Sequence, residues 1–206
     1  MKNQVRIKIC GVTNLEDALV AAELGADAIG FVFYEKSPRD ISPRAAAFII
    51  RELPPFVTNV GVFVNERPEK VVDIAREAGV GCVQLHGDET PEYCQAVGLR
   101  TIKALRVKDA SVLNKLRSYS VSAVLLDTYR EGVPGGTGET FDWEIASEAA
   151  GMGRIILSGG LTPENIRQAI DKVQPYAVDV SSGVEARPGR KDHDKLRKFF
   201  EQVRTR

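Results

Sequence analysis

The sequence predicts a closed (β/α)8 barrel, and three observations carry that prediction. Eight short runs rich in β-branched and apolar residues alternate with eight longer amphipathic segments from one end of the chain to the other. Gly, Pro, Asn or Asp punctuates nearly every junction. The 206 residues fit one domain, with no shift in composition and no linker to mark a second. Alternating strands and helices call for a parallel sheet, and eight such pairs favour closure into a barrel over an open doubly wound sheet. Residues 1–206 are therefore read as a single α/β barrel domain with short loops.

The strands are expected at 5–9, 28–33, 59–64, 82–86, 101–105, 123–127, 154–157 and 177–180. The helices that follow them are expected at 14–24, 43–53, 68–78, 91–97, 110–117, 143–149, 163–171 and 191–203. Three helices have explicit starts. Ser42-Pro43, Thr90-Pro91 and Thr162-Pro163 each set a capping hydroxyl before a Pro at the first helical position, where the missing N–H costs nothing. The stretch 132–138, GVPGGTG, is too rich in Gly for regular structure and is read as a mobile loop, a candidate lid over the site.

Composition narrows the function. Lys plus Arg and Asp plus Glu balance at 28 each, so no net basic field exists to hold nucleic acid or an anionic membrane surface. The cysteines, Cys10, Cys82 and Cys94, are odd in number, widely spaced and free of any CxxC motif, which reads as reduced thiols in the cytoplasm. The opening MKNQVRIKIC lacks the apolar core of a secretion signal, and no segment reaches the ~18 uncharged apolar residues of a membrane span. A soluble cytoplasmic protein is expected, as monomer or homodimer.

In a barrel, chemistry sits where strands end at the C-terminal face. Cys10 closes the first strand, His86 the fourth, Asp127 the sixth, and Asp179 lies at the end of the eighth. Strand alternation turns Arg6, Lys8 and Cys10 toward the barrel interior. The same parity groups Cys82, Gln84 and His86 on the fourth strand, and Ala123, Leu125 and Asp127 on the sixth. A polar cluster at one mouth follows. Each member has a plain reading beside the functional one. Cys10 is either a small buried apolar group or a base whose pKa Lys8, two residues back, would draw below about 8.5. Asp127 is either satisfied by loop N–H groups or placed for use, because a carboxylate ending an apolar strand is costly to bury unpaired. Asp179 is a loop anchor or a site residue, and Arg39 a solvated charge or a planar fork for a carboxylate. His86 and Cys82 stand about 13 Å apart at ~3.3 Å per residue, too far to share a zinc ion. No HxH or HxxxE pattern adds ligands and no dinucleotide fingerprint appears, so neither metal nor cofactor is expected.

Two Gly-bearing loops, Leu157-Ser158-Gly159-Gly160 and Val180-Ser181-Ser182-Gly183, follow the seventh and eighth strands. Either alone reads as a tight turn. On consecutive strands they suggest a phosphate site, with Gly admitting close backbone approach, N–H groups converging on the anion and a short helix at the second loop adding its dipole.

The block Lys8-Ile9-Cys10-Gly11-Val12-Thr13 resembles the opening of the phosphoribosylanthranilate isomerases. Further similar blocks follow in family order: Gly30-Phe31-Val32-Phe33 with Ser37-Pro38-Arg39, Gly61-Val62-Phe63-Val64-Asn65, Val83-Gln84-Leu85-His86-Gly87 and Leu126-Asp127-Thr128. Gly135-Gly136-Thr137-Gly138 with Phe141-Asp142-Trp143, Leu157-Ser158-Gly159-Gly160-Leu161 and Asp179-Val180-Ser181-Ser182-Gly183-Val184-Glu185 complete the series across essentially the whole chain. The resemblance implies a phosphate-binding TIM barrel, an aldose–ketose isomerase of tryptophan biosynthesis acting on a small phosphorylated substrate without metal or cofactor. It implies Cys10 as general base, Asp127 as general acid and Arg39 near the anthranilate carboxylate. Gln84, His86 and Asp179 fall among the substrate-binding residues, and Gly159, Gly160, Ser182 and Gly183 in the phosphate site. Two other readings stand beside it. A related phosphate-binding barrel such as indoleglycerol-phosphate synthase is similar at the phosphate loops but is built round a catalytic Lys and Glu set. A non-catalytic barrel that senses a phosphorylated metabolite would need the glycines but not both Cys10 and Asp127.

Overall fold

The computed structural model describes residues 4–128 and 143–205. The expected lid loop at 132–138 lies outside the described residues. Eight parallel strands close into a barrel in chain order. They are β1 (Arg6–Cys10), β2 (Ala28–Val32), β3 (Thr58–Phe63), β4 (Cys82–Leu85), β5 (Thr101–Val107), β6 (Ala123–Thr128), β7 (Ile155–Leu157) and β8 (Ala177–Val180). Each matches an expected strand to within two residues at either end, so Cys10 is the last residue of β1 and His86 the first beyond β4. The ring closes where β8 pairs with β1, a register that sets Lys8 opposite Asp179.

Alternation along the strands separates two apolar layers. Ile7, Ile9, Ile29, Phe31, Val83 and Leu85 turn outward into the large core beneath the helices. Val60, Cys82, Ile102, Ala104, Ala123, Leu125, Ile156 and Ala177 turn inward and plug the barrel, so the interior is a packed core and not a pore. The C-terminal mouth above this plug gathers the expected polar groups.

The outer helices are α1 (Leu15–Glu23), α2 (Pro43–Glu52), α3 (Pro68–Ala78), α4 (Pro91–Ala96), α5 (Val112–Ser118), α6 (Trp143–Ala150), α7 (Ile166–Val173) and α8 (His193–Arg204). Ser42 and Thr90 cap as expected, accepting from the N–H of Ala45 and Tyr93 ahead of Pro43 and Pro91. Thr162 Oγ1, ahead of Pro163, likewise accepts from the Glu164 N–H, but regular helix does not start there. The Asn165 side chain accepts from Thr162 N–H through Oδ1 and donates to the Gly160 carbonyl through Nδ2, and this turn delays α7 to Ile166. The last helix also begins later than expected. Residues 185–191 form a small hairpin, β9 (Glu185–Arg187) against β10 (Arg190–Lys191), turned at Pro188-Gly189 with Gly189 at φ +77°. Asp192 then caps α8 through the N–H groups of Asp194 and Lys195. The short helix expected after β8 is one 3-10 turn, Ser182–Val184. Among the described residues, no helix is long and apolar enough to cross a membrane.

Candidate active site

The C-terminal mouth holds a cavity of about 390 Å³, and all ten expected site residues line it: Cys10, Arg39, Gln84, His86, Asp127, Gly159, Gly160, Asp179, Ser182 and Gly183. Cys10 on β1 and Asp127 on β6 are separated round the barrel by β7 and β8, whose loops carry the four phosphate candidates. The glycines of those loops are there for backbone reasons. Gly159 and Gly160 both adopt left-handed φ, +82° and +65°, where any side chain would be strained. A Cβ on Gly183 would stand 1.9 Å from the Leu161 carbonyl oxygen, so the two loops touch through it.

Cys10 is 8 % exposed, and its setting differs from the expected one. Burial pushes the thiol above its ordinary value, and the nearby Lys8 ammonium offsets this without overcoming it. Lys8 bears on Asp179 as well as on Cys10. Its Nζ donates to Asp179 Oδ1 at 2.8 Å with both side chains buried, a pair set by the β1–β8 register. Burial works against the Lys8 ammonium, but Asp179 and Cys10 together outweigh it and hold the group above its ordinary range. Ser158 Oγ adds a long contact to Asp179 Oδ2 at 3.4 Å. Asp179 is thus a cavity-lining carboxylate already tied to a cation.

Asp127 is buried and its Oδ2 lies 3.1 Å from His86 Nε2. His86 Nδ1 lies 2.9 Å from the Gln84 amide nitrogen, which donates to it, so the network puts the histidine proton on Nε2, facing Asp127. Gln84 Oε1 is left buried and, among the described residues, without a partner. An acceptor so placed carries a desolvation penalty until a donor meets it. The backbone round His86 is fixed from behind. Lys103 Nζ donates to the carbonyls of Leu85 and Gly87 at 3.1 and 2.8 Å, and to Glu89 Oε2 at 2.7 Å.

Arg39 neither waves in solvent nor presents its whole fork to the cavity. Its Nε and Nη2 donate to Glu185 Oε1 and Oε2 at 2.8 and 2.7 Å. Glu185 Oε1 also accepts from Lys191 Nζ at 3.0 Å, and the same ammonium donates to the carbonyls of Cys10 and Ser181 at 2.6 and 3.2 Å. Burial disfavours the Glu185 carboxylate, but the Arg39 fork and Lys191 together hold it below the usual carboxylate range. Burial likewise pulls the Lys191 ammonium below its ordinary value against the attraction of Glu185. Sequence reasoning gave no role to Glu185, Lys191, Lys103 or Glu89. The one local signal was Pro188-Gly189, a turn dipeptide between two short stretches that marks the hairpin carrying Glu185 and Lys191.

Fold and site together define a class: a (β/α)8 barrel enzyme with its polar groups gathered at the C-terminal mouth, fitted to acid–base work on a small polar ligand. Comparison with known proteins makes this particular. The family model described as "N-(5'phosphoribosyl)anthranilate (PRA) isomerase" matches residues 7–202. A relative of that name from Geobacter sulfurreducens is 56 % identical over 200 residues, covering 97 % of this chain and 98 % of its own. A solved isomerase in complex with reduced 1-(o-carboxyphenylamino)-1-deoxyribulose 5-phosphate superposes with a TM-score of 0.85 at 50 % identity, covering 97 % of this chain and 98 % of its own. A structure of monomers made from the dimeric Thermotoga maritima isomerase gives 0.87 at 48 %, with the same coverage. The chain belongs to the phosphoribosylanthranilate isomerase family and is an aldose–ketose isomerase of tryptophan biosynthesis.

Proposed function

We propose that Cys10 and Asp127 are the general base and general acid by which this chain converts N-(5-phosphoribosyl)anthranilate to 1-(2-carboxyphenylamino)-1-deoxyribulose 5-phosphate. The observation that carries the assignment is the placing of both groups on one cavity, with the β7 and β8 loops between them. An Amadori rearrangement needs one proton given and one removed. Asp127, steadied by His86, protonates the furanose ring oxygen and opens the ring to a protonated Schiff base. The positive nitrogen acidifies C2′, and Cys10 as thiolate takes that proton to leave an enolamine. Moving a proton from the C2′ hydroxyl to C1′ then gives the ketone.

The remaining residues hold the substrate in this reading. The phosphate rests on the backbone of Gly159, Gly160, Ser182 and Gly183, and the single turn at Ser182–Val184 presents its N–H groups there. The orphaned Gln84 Oε1 is suited to a sugar hydroxyl. Asp179, fixed by Lys8, faces the same sugar, and Arg39 meets the anthranilate carboxylate. No step calls on a metal or cofactor.

The test follows loss of anthranilate fluorescence when enzymatically generated phosphoribosylanthranilate is mixed with wild type, Cys10→Ala and Asp127→Ala. Wild type should consume substrate, and each folded variant should fall by about 10²-fold or more, as lost acid–base catalysts do. A folded wild type that binds without converting would leave a phosphate sensor instead.

The chain is further read as one domain, 1–206, working in the cytoplasm as a monomer or homodimer. Phe56, 96 % exposed behind Pro54-Pro55, is the large apolar group that contact with a second copy would bury. Phe56→Glu should elute as monomer in size-exclusion chromatography, and unchanged elution would take Phe56 out of the interface.

A further inference from the structure

We propose that Glu185, seated by Lys191, is a positioning residue that turns one edge of the Arg39 guanidinium away and leaves the other as a ready fork for the substrate's carboxylate. The proposal rests on the reading that Arg39 meets that carboxylate. It adds what aims the arginine.

A guanidinium has two edges that can each grip a carboxylate: the side edge, Nε with one Nη, and the end edge, Nη1 with Nη2. Glu185 occupies the side edge through Nε and Nη2 at 2.8 and 2.7 Å. Among the described residues, nothing takes the donors of Nη1 or the second donor of Nη2. The end edge is therefore the one available at a cavity that Arg39 lines. The stem of Arg39 is fixed as well, because it runs so close over Gly11 that a Cβ there would stand 2.5 Å from its Cδ. Stem and side edge being held, the guanidinium plane has little freedom left.

Glu185 is itself immobile. Its side chain is 4 % exposed, and Lys191, at 0 %, binds it while gripping the carbonyls of Cys10 and Ser181. The base, the β8 loop and the carboxylate that aims Arg39 thus share one ammonium. Charge completes the case. Arg39 and Lys191 supply two positive charges against the single negative charge of Glu185, so this wall of the cavity is left with one unbalanced positive charge. A ligand carboxylate on the end edge would neutralise it, whereas a neutral aryl group would not.

The test compares affinities and needs no turnover. Two unreactive ligands are titrated by fluorescence or calorimetry: reduced 1-(2-carboxyphenylamino)-1-deoxyribulose 5-phosphate and the same molecule with phenyl in place of carboxyphenyl. In wild type the carboxylate should improve binding by about tenfold to a hundredfold, the worth of a charge-assisted pair. In Glu185→Gln, which loses the charge and one acceptor, that ratio should drop at least about fivefold while the phenyl ligand binds within about twofold of wild type. Equal weakening of both ligands would show a merely structural role and overturn the proposal. A retained ratio would overturn it too. A wild-type ratio near one would instead remove the Arg39 reading on which the proposal rests. Should Glu185→Gln fail to fold, Glu185→Asp keeps the charge but withdraws it by one methylene, and the same loss or retention of the ratio decides.

Discussion

Replacing Lys103 by Met is a severe test of how the site is held, because Lys103 touches no cavity atom yet fixes the segment that carries His86. The Lys103 and Glu89 side chains are each 1 % exposed and lie 2.7 Å apart. Met matches the volume of the lysine stem but offers no donor. The substitution strands the Glu89 carboxylate with the backbone N–H groups of Asn65 and Gly87 as its remaining partners, and it orphans the carbonyls of Leu85 and Gly87. Breaking one side of a buried pair costs about 3–5 kcal/mol. For a chain of this length each kcal/mol lowers Tm by about 2–4 °C, so a fall of about 6–20 °C is expected by calorimetry, with a matching loss in urea unfolding. Activity measured well below that Tm should also drop, by about tenfold or more, since His86 sits between the two freed carbonyls and contacts Asp127. Lys103→Met with Glu89→Gln removes the stranded charge and should recover part of the stability but not the activity. A loss of less than about 1 kcal/mol in the single variant would refute the argument, because it would mean that Glu89 is hydrated or neutral in the folded protein.

Three further outcomes follow. Gly183→Ala should push the β7 and β8 loops apart, raising KM and weakening inhibition by inorganic phosphate in parallel by at least about tenfold; unchanged phosphate affinity would clear Gly183 of a role there. Glu185 is held below the ordinary carboxylate range when folded, so its contribution to stability is full above the unfolded value of about 4.3 and is lost as pH falls through the lower folded value. Urea unfolding across that acid window should therefore be flatter for Glu185→Gln than for wild type, and identical slopes would contradict the coupling. Because burial raises the Cys10 thiol, its alkylation by iodoacetamide, followed site by site by mass spectrometry, should keep accelerating above the ordinary thiol value of about 8.5; a plateau near neutral pH would show a preformed thiolate.

The parts of this molecule legible in the sequence are those governed by short-range periodicity. Alternation with period two placed Cys10, Gln84, His86 and Asp127 on the inward faces, and the structure finds all four on one cavity. What periodicity missed is set by contacts distant in sequence. Lys8 reads locally as the partner of Cys10 and does act on it, drawing the thiol down against burial, but the β1–β8 register also puts Asp179 opposite it, 171 positions away, a partner no local pattern shows. The hairpin at 185–191 has strands of only three and two residues, too short for any repeat, so Lys191 was merged into the following helix. Thr162 Oγ1, ahead of Pro163, does cap the Glu164 N–H, but the Asn165 side chain closes a turn onto Gly160 and Thr162, so regular helix starts only at Ile166. Local sequence leaves Arg39 as either a solvated charge or a fork for a carboxylate. The structure shows that fork half used, by a glutamate 146 positions on.

The two missed lysines solve one physical problem in the same way. A parallel barrel ends at its mouth in strand carbonyls that have run out of ladder partners, and in an active site they cannot all be left to water without losing precision. An ammonium carries three donors on a flexible stem, so one lysine can join segments from different strands. Lys103 does so for the carbonyls on either side of His86, and Lys191 for those of Cys10 and Ser181. Each brings a positive charge into a dry place, and each is balanced by one buried glutamate, Glu89 or Glu185. The glutamates differ in what they do next. Glu89 returns to the backbone, accepting from Asn65 and Gly87, and closes its network. Glu185 passes on to Arg39, which lines the cavity with donors that no described residue takes. The first clamp therefore ends in rigidity alone, whereas the second converts rigidity into an aimed charge.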